Sequence, residues 1–284
     1  MRKVDGYRLR LKSAIRLVAV ALIVASSAQV QAADCPRTGA LGTSRIMTVD
    51  AATYPRIGLE DFKETLPLAD REVVLTFDDG PALPMDDEVL AVLAEQCVRA
   101  TFFMVGRPAT GMPDAVRKIA AAGHTVAHHT WSHKNLARIS PQSAAHEIDM
   151  GIAAVEMALH GVATTVPSTP FFRYPFFDMT QATLDDLQSR GIAVFSADLL
   201  ADDWVPMTPQ QQLALLTDRL EAKRKGIVLL HDPRAQTVAM LGDFLRYLRD
   251  NGYRVVHVVP AAPASPAKEQ AQEQVKAPAS IRPN

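Results

Sequence analysis

The chain has 284 residues, of which 48% are hydrophobic, and it carries 30 basic and 31 acidic side chains for a formal net charge of −1. The hydrophobic content is sufficient for a buried core, and the length suits one large domain. Because basic residues are not in excess, the composition does not fit a protein whose main partner is nucleic acid.

Residues 1–32 have the layout of a secretory signal peptide. A stretch rich in Arg and Lys precedes an apolar run at residues 17–25, and Val30 and Ala32 supply the small side chains of a cleavage site after Ala32. A retained membrane anchor is the alternative, but this run is shorter than the ~20 residues that a helix needs to cross a bilayer. We therefore expect a periplasmic or secreted protein with no integral membrane span after cleavage.

Two cysteines, Cys35 and Cys97, remain after that cleavage. An even number of cysteines in an oxidising compartment permits a disulfide. We predict an intramolecular bridge that ties the N-terminal segment to a helix near Cys97, with two unrelated thiols as the alternative.

The rest of the chain divides into three parts. Residues 33–70 form an irregular arm with one candidate strand at 45–49, and residues 260–284 are a tail of Pro, Ala, Gln, Lys and Glu that predicts disorder. Between them, at 71–259, short apolar runs alternate with amphipathic helical patterns, which is typical of an α/β domain with a parallel sheet or barrel. Seven strands are predicted, at residues 73–77, 100–105, 125–129, 171–174, 193–197, 227–231 and 254–259.

The polar residues of interest follow these strands directly. Asp78 and Asp79 come after the first of the seven, His129 ends the third, Arg173 lies in the fourth and His231 ends the sixth. In barrels of parallel strands, the carboxyl ends of the strands form the face on which active sites assemble. We therefore expect these side chains to meet at one face of the domain.

Asp78 and Asp79 are adjacent carboxylates that lead into a Gly80-Pro81 turn. Two like charges side by side are unfavourable unless a cation or a division of roles separates them. One carboxylate can bind a metal while the other accepts a proton. The alternative is an acidic turn that caps the following helix, and these residues alone do not decide between the two.

His129 and His133 are four residues apart, so their imidazoles project from one face if the segment forms a helical turn. With one aspartate they make three protein ligands, the number typical of a catalytic zinc site, and mixed His and carboxylate ligands also suit Co or Ni. His124 and His128 are competing candidates. The spacing favours His129, and a strand at 125–127 would turn His128 away from it.

These residues resemble the polysaccharide deacetylases of carbohydrate esterase family 4, which act on chitin, chitooligosaccharides, peptidoglycan and acetylxylan. The resemblance covers residues 71–259. The Thr-Phe-Asp-Asp-Gly-Pro block at 76–81 and the His-Thr-Trp-Ser-His block at 129–133 match without alteration, and looser matches follow at 173–177, 202–204 and 229–232. The resemblance implies a distorted (β/α) barrel with about seven parallel strands.

It also implies a metal-dependent hydrolysis of an acetamide. Asp79, His129 and His133 would hold a divalent metal, expected to be Zn with Co or Ni as alternatives, and the metal would activate a water molecule. Asp78 would be the general base. His231 would protonate the leaving amine.

Five further residues receive supporting roles from the resemblance. Arg173 and Asp203 would orient the base and the acid. The backbone N–H of Phe176 would stabilise the oxyanion. Trp204 and Leu229 would form the pocket for the acetyl methyl group.

The chain departs from the family pattern at residues 176 and 177. Phe176 replaces the usual tyrosine, and Phe177 replaces a glycine, so its bulk could alter the loop and narrow the sugar site. Asp198 and Asp202 compete with Asp203 for the role of tethering His231. The position of Asp203 next to a tryptophan favours it.

The predicted function is the deacetylation of an N-acetylated polysaccharide or oligosaccharide of the chitooligosaccharide or peptidoglycan type. A catalytically inactive sugar-binding relative and a metal-dependent hydrolase of small cyclic amides are the alternatives. The complete set of candidate ligands, base and acid disfavours the first, and the predicted export disfavours the second. The sequence does not choose the polymer.

Overall fold

The structure is a computed structural model that describes residue 35 and residues 37–262. The predicted signal peptide at 1–32 and residues 263–284 of the predicted tail lie outside the described residues.

The described strands are β1 (Thr43–Val49), β2 (Arg56–Ile57), β3 (Glu72–Asp78), β4 (Thr101–Met104), β5 (Thr125–His128), β6 (Phe171–Phe172), β7 (Ala193–Phe195), β8 (Leu199–Leu200), β9 (Gly226–His231) and β10 (Arg254–Pro260). The described α-helices are α1 (Met85–Glu95), α2 (Gly106–Gly111), α3 (Pro113–Ala121), α4 (Pro141–His160), α5 (Gln181–Ser189), α6 (Pro209–Lys223) and α7 (Ala235–Asp250).

Every strand pairing in the described chain is parallel, which confirms the predicted α/β class. The strand order is β1-β10-β3-β4-β5-β6-β7-β2. Off this path, β9 pairs with β3 and with β8. All seven predicted strands are present, as β3 to β7, β9 and β10. A continuous series of paired strands runs from β2 through β7, β6, β5, β4, β3 and β9 to β8. Its two end strands, β2 and β8, do not pair with each other in the described chain.

The sheet curves strongly around its inner face. Phe103 on β4 and Phe195 on β7 lie three strands apart in the sheet order, yet their ring centroids are 5.7 Å apart. In a flat sheet, three steps of about 4.8 Å would separate them by much more. Val74 and Ile227 belong to the same buried cluster. The inner face is therefore an apolar interior around which the sheet curves.

The outer face of the sheet packs against helices. Leu75 and Phe77 alternate with Val74 along β3, so they point to the opposite face, where they share a buried cluster with Leu241 and Leu245 of α7. A strand that is buried on both faces reads as a continuous apolar run, as residues 73–77 do. This packing fixes the direction in which β3 delivers the residues that follow it.

The segment before residue 70 is joined to the sheet. β1 pairs with β10, which extends the predicted strand at 45–49 to seven residues, and β2 pairs with β7. Cys35 and Cys97 form a disulfide with a Cα–Cα distance of 5.6 Å, which confirms the predicted bridge. Within the described chain, no helix has both the length and the apolar character that a bilayer span requires.

Candidate active site

Side chains from the carboxyl ends of several strands meet at one face of the sheet. Asp78 and His231 are direct partners at the carboxyl ends of β3 and β9, and His129 follows β5. They border a cavity of about 380 Å³ with twelve lining residues, namely Asp78, Asp79, His129, His133, Tyr174, Phe176, Phe177, Leu200, Trp204, Leu229, His231 and Arg234. Parallel strands place their carboxyl ends at one edge, so residues far apart in the sequence become neighbours there.

Asp79, His129 and His133 form a compact set of candidate metal ligands. Asp79 Oδ1 lies 3.1 Å from His133 Nε2 and 3.6 Å from His129 Nε2. One ligand atom from each residue lies within 4.8 Å of the other two. Asp79 Oδ1 is buried and accepts no hydrogen bond in the described chain, although buried carboxylate oxygens are normally satisfied. One carboxylate and two imidazoles converging on a point are a donor set that fits a divalent cation.

The orientation of His129 suits metal binding. Its Nδ1 lies 2.7 Å from the carbonyl oxygen of Arg173, which can only accept, so Nδ1 carries the hydrogen and Nε2 faces Asp79. Burial lowers the pKa of His129 to about 3, against the opposing charge of Asp79, so the ring is neutral at physiological pH. A neutral imidazole with a free Nε2 is the form that coordinates metals.

His128 lies away from this set. Its Nε2 is 3.5 Å from Glu156 on α4, and its side chain is fully buried. The structure therefore places His129 and His133 beside the cavity, while His128 packs on the helix side of the sheet. His124 is also outside the cavity, where its Nδ1 accepts the N–H of Ala100 at 3.1 Å.

Asp78 is held by a buried arginine. Arg173 Nη1 donates to Asp78 Oδ1 at 2.7 Å and to Thr76 Oγ1 at 2.8 Å, and Nη2 donates to the carbonyl of Ser196 at 2.9 Å. The guanidinium also lies 4.2 Å from the centre of the Phe103 ring. Burial raises the pKa of Asp78 above its ordinary value despite the opposing charge of Arg173. A raised pKa makes this carboxylate a better proton acceptor.

His231 is paired with Asp203 at the other side of the cavity. Its Nδ1 lies 2.7 Å from Asp203 Oδ1, and its backbone N–H donates to Asp203 Oδ2, also at 2.7 Å. Thr237 donates a further hydrogen bond to Oδ2 at 2.6 Å. Burial lowers the pKa of His231, but the hydrogen bond and charge of Asp203 and the charges of Asp78 and Asp79 outweigh it, so the pKa is raised.

The two competing aspartates lie elsewhere. Asp202 pairs with Arg219 at 2.7 Å. Asp198 accepts the backbone N–H groups of Leu59 and Ile227, both at 2.8 Å. Of these three aspartates, Asp203 is the one that contacts His231.

Aromatic and aliphatic side chains complete the cavity wall. Phe176 is 65% exposed and packs its ring edge-to-face on His133 at 4.7 Å, and Trp204 packs in the same way on His231 at 5.7 Å. Leu229 is buried and also lines the cavity. Phe176 and Phe177 both have left-handed backbones, with φ of 60° and 55°. Phe177 thus retains a backbone conformation that favours glycine and adds its side chain to the cavity wall.

Two supporting residues received no role from the sequence. Glu147 on α4 is 3% exposed and accepts hydrogen bonds from the backbone N–H and the hydroxyl of Ser132, at 2.8 and 2.7 Å. Its carbonyl accepts the N–H of Trp131 at 2.8 Å. The available signal was an acidic residue on the apolar face of a helical pattern, one position before the buried Ile148.

The other is Asp232, which follows His231 and is fully buried beneath the Asp79-Gly80 turn. A side chain on Gly80 would collide with Oδ2 of Asp232. Burial and the neighbouring carboxyl of Asp86 raise the pKa of Asp232 well above its ordinary value. The position of this carboxyl leaves room only for glycine at position 80.

Comparison with known proteins identifies the family. Residues 66–195 match the family model for polysaccharide deacetylase. A chitooligosaccharide deacetylase from Bradyrhizobium sp. (strain ANU 289) is 31% identical over 205 residues, which is 67% of this chain and 90% of that protein. The chain belongs to the polysaccharide deacetylase family.

Two further relatives extend the comparison. A peptidoglycan-N-acetylglucosamine deacetylase of Bacillus cereus is 32% identical over 138 residues, about half of each chain. The solved structure of a peptidoglycan deacetylase from Bdellovibrio bacteriovorus matches with a TM-score of 0.69 and 28% identity, covering 83% of this chain and 63% of that one. The family includes enzymes that hydrolyse carbon–nitrogen bonds of acetylated sugars, and this polysaccharide deacetylase domain shares their α/β fold.

Proposed function

We propose that this polysaccharide deacetylase is exported and hydrolyses the acetamide of N-acetylated sugars in a polysaccharide or oligosaccharide, in a reaction that requires a divalent metal. The observation that carries the proposal is the convergence of Asp79, His129 and His133 between two separate pairs, Asp78 with Arg173 and His231 with Asp203. The arrangement provides a metal site, a base and an acid around one cavity.

The residues at the cavity divide the work of hydrolysis. Asp79, His129 and His133 would hold a divalent cation, which would polarise the acetamide carbonyl and lower the pKa of a water molecule. Asp78 accepts a proton from that water as its oxygen bonds to the acetyl carbon. Arg173 keeps Asp78 in place and leaves its other oxygen, Oδ2, facing the cavity side, 3.8 Å from His129 Nε2.

The leaving amine needs a proton before it can depart. His231 donates this proton from Nε2, because its Nδ1 is bound to Asp203. The carbon–nitrogen bond then breaks and releases acetate and a free amino sugar. Trp204 and Leu229 enclose the acetyl methyl group, and the backbone N–H of Phe176 donates to the carbonyl oxygen as it gains charge.

Zinc is the expected metal, with cobalt or nickel as alternatives, because all three accept mixed imidazole and carboxylate ligands. The chitooligosaccharide and peptidoglycan relatives suggest substrates built on N-acetylglucosamine. The predicted signal peptide and the Cys35–Cys97 disulfide support export to an oxidising compartment.

A metal-content assay combined with acetate release from N-acetylglucosamine oligomers and peptidoglycan tests the proposal. We expect His133→Ala to lose both the metal and the activity, and Asp78→Asn to keep the metal but lower turnover by ~10² to 10⁴. His160→Ala, which removes an exposed imidazole outside the cavity, is the control and should change neither. Stoichiometric metal in His133→Ala, or parental turnover in Asp78→Asn, would refute the assigned roles.

A further inference from the structure

The cavity wall contains one basic side chain besides the imidazoles, that of Arg234. Arg234 precedes α7 and lies three residues after His231, whose carbonyl accepts its backbone N–H at 3.4 Å. Gln236 ties the same turn to the opposite wall, because its amide donates to the carbonyls of Asp203 at 2.8 Å and Val205 at 3.1 Å. Arg234 is therefore on a turn that is anchored beside the His231–Asp203 pair.

The guanidinium of Arg234 has no ion-pair or hydrogen-bond partner among the described residues. The two other arginines near the site are engaged, Arg173 with Asp78 and Arg219 with Asp202, each at 2.7 Å. Arg234 is exposed and forms no ion pair and no side-chain hydrogen bond with any residue in the described chain. Its positive charge and its donors are available to a ligand in the cavity.

The other charged residues at the cavity do not neutralise the positive charge of Arg234. Arg173 neutralises Asp78, and Asp79 faces the two imidazoles with which it would hold a cation. The remaining wall is aromatic or aliphatic, apart from the hydroxyl of Tyr174, which is itself buried. A planar guanidinium pairs best with a planar oxyanion, to which it can donate two parallel hydrogen bonds.

We propose that Arg234 selects glycans that carry a carboxylate close to the reacting acetamide. In a neutral N-acetylglucosamine oligomer, this guanidinium can donate hydrogen bonds only to uncharged groups such as hydroxyls. In a glycan whose neighbouring sugar carries an ether-linked carboxylic acid, it can pair with a carboxylate. The inference rests on the proposed deacetylase function and adds a substrate preference to it.

The test compares two soluble oligosaccharides of equal length, one made only of N-acetylglucosamine and one in which it alternates with N-acetylmuramic acid. Binding by calorimetry and kcat/KM for acetate release are measured for the parent protein, Arg234→Gln and Arg234→Lys. Arg246→Gln is the matched control, because Arg246 lies on α7 about three turns further along and pairs with Asp243.

We expect Arg234→Gln to weaken binding and lower kcat/KM about tenfold for the acidic oligosaccharide, the size of one lost hydrogen-bonded charge pair, with no change for the neutral one. Arg234→Lys should recover part of the preference, which should also weaken as salt is added. Equal losses on both oligosaccharides, or no loss on either, would overturn the proposal. Absence of acetate release by the parent protein would refute the deacetylase function instead, while the binding ratio would still test Arg234.

Discussion

At the scale of single residues, the proton affinity of His231 is set by opposing influences. Burial lowers its pKa, but the contact with Asp203 and the nearby carboxylates raise it above the ordinary value. If His231 is the acid that protonates the leaving amine, the alkaline limb of the kcat/KM profile reports its deprotonation. That limb should therefore lie above the unperturbed histidine value of about 6.5.

Asp203→Asn tests this origin of the raised pKa. Asparagine keeps an oxygen for the hydrogen bonds from Thr237 and from the backbone of His231 but removes the negative charge. The pKa of His231 should fall, and the alkaline limb should move by about one pH unit or more towards lower pH. The measurement is the pH profile of kcat/KM.

Asp202→Asn is the control for that experiment. Asp202 is the adjacent carboxylate, but it pairs with Arg219 and does not contact His231, so its profile should match the parent. A limb that stays in place in Asp203→Asn would assign the proton donor to another group. The same conclusion would follow if His231→Ala kept the alkaline limb.

The sequence predicted the side chains that the structure brings together, because each lies in a short local block. Asp78 with Asp79, and His129 with His133, are separated by at most four residues, and strand ends supply the rest of the geometry. Glu147 could not be predicted in this way. It acts on Ser132 from 15 residues away, across the packing of a helix against a loop, and no local spacing records that contact.

At the scale of elements, helix α4 supports the turn that carries His133. Thr130 and His133 have left-handed backbones, with φ of 64° and 57°, and such conformations are unfavourable for residues with a side chain. Gly151 of α4 lies so close to Thr130 that any side chain there would collide with its backbone, and Glu147 binds Ser132 twice. The helix thus offsets the strain of the turn and fixes the position of the His133 ring.

Replacing Glu147 with glutamine should therefore weaken metal binding. The variant loses a charged acceptor for the N–H and hydroxyl of Ser132, so the turn and His133 become less well positioned. We expect the dissociation constant of the metal to rise about 10- to 100-fold, the usual effect of removing a group that orients a ligand. The measurement is a competition titration against a chelator of known affinity.

Glu156→Gln separates positioning from general stability. Glu156 lies on the same helix, is equally buried and also accepts two hydrogen bonds from one serine, Ser168. Both variants should lower the melting temperature of the metal-free protein, but only Glu147→Gln should change metal affinity. Equal metal affinities in the two variants would show that α4 does not position the site.

Strand prediction succeeded where an apolar run was long enough to be visible. β3 and β9 have seven and six residues, and burial on both faces makes most of their residues hydrophobic. β2 and β8 have two residues each, which is too short for any periodicity, and they were not predicted. β6 is equally short, but it lies in the longer segment predicted at 171–174. Their pairing depends on where neighbouring strands have already placed the chain.

At the scale of the whole molecule, the disulfide and the active site lie at opposite ends of the sheet. Cys97 precedes the amino end of β4, whereas the candidate ligands follow the carboxyl ends of β3 and β5. Thr43 at the start of β1 reinforces the same end, because it donates to the carbonyl of Cys97 at 3.2 Å and accepts the N–H of Arg99 at 2.8 Å. The bridge therefore anchors the N-terminal segment without contacting the cavity.

Removing the bridge should reduce stability and leave catalysis unchanged. Cys35 and Cys97 are 62 residues apart, and closing a loop of that length restricts the unfolded chain by about 4 kcal/mol in the chain-entropy model. In a double Cys35→Ser, Cys97→Ser variant, the free energy of unfolding measured in urea should fall by about that amount, because the unfolded state gains entropy. At a temperature where the variant remains folded, its metal affinity and kcat/KM should equal those of the parent.

The control is the parent protein reduced with a thiol, which should unfold at the same urea concentration as the double variant, below that of the oxidised parent. If the double variant and the reduced parent both lost metal affinity, the bridge would instead help to place Asp78 and Asp79 by acting through β1 and β10 on β3.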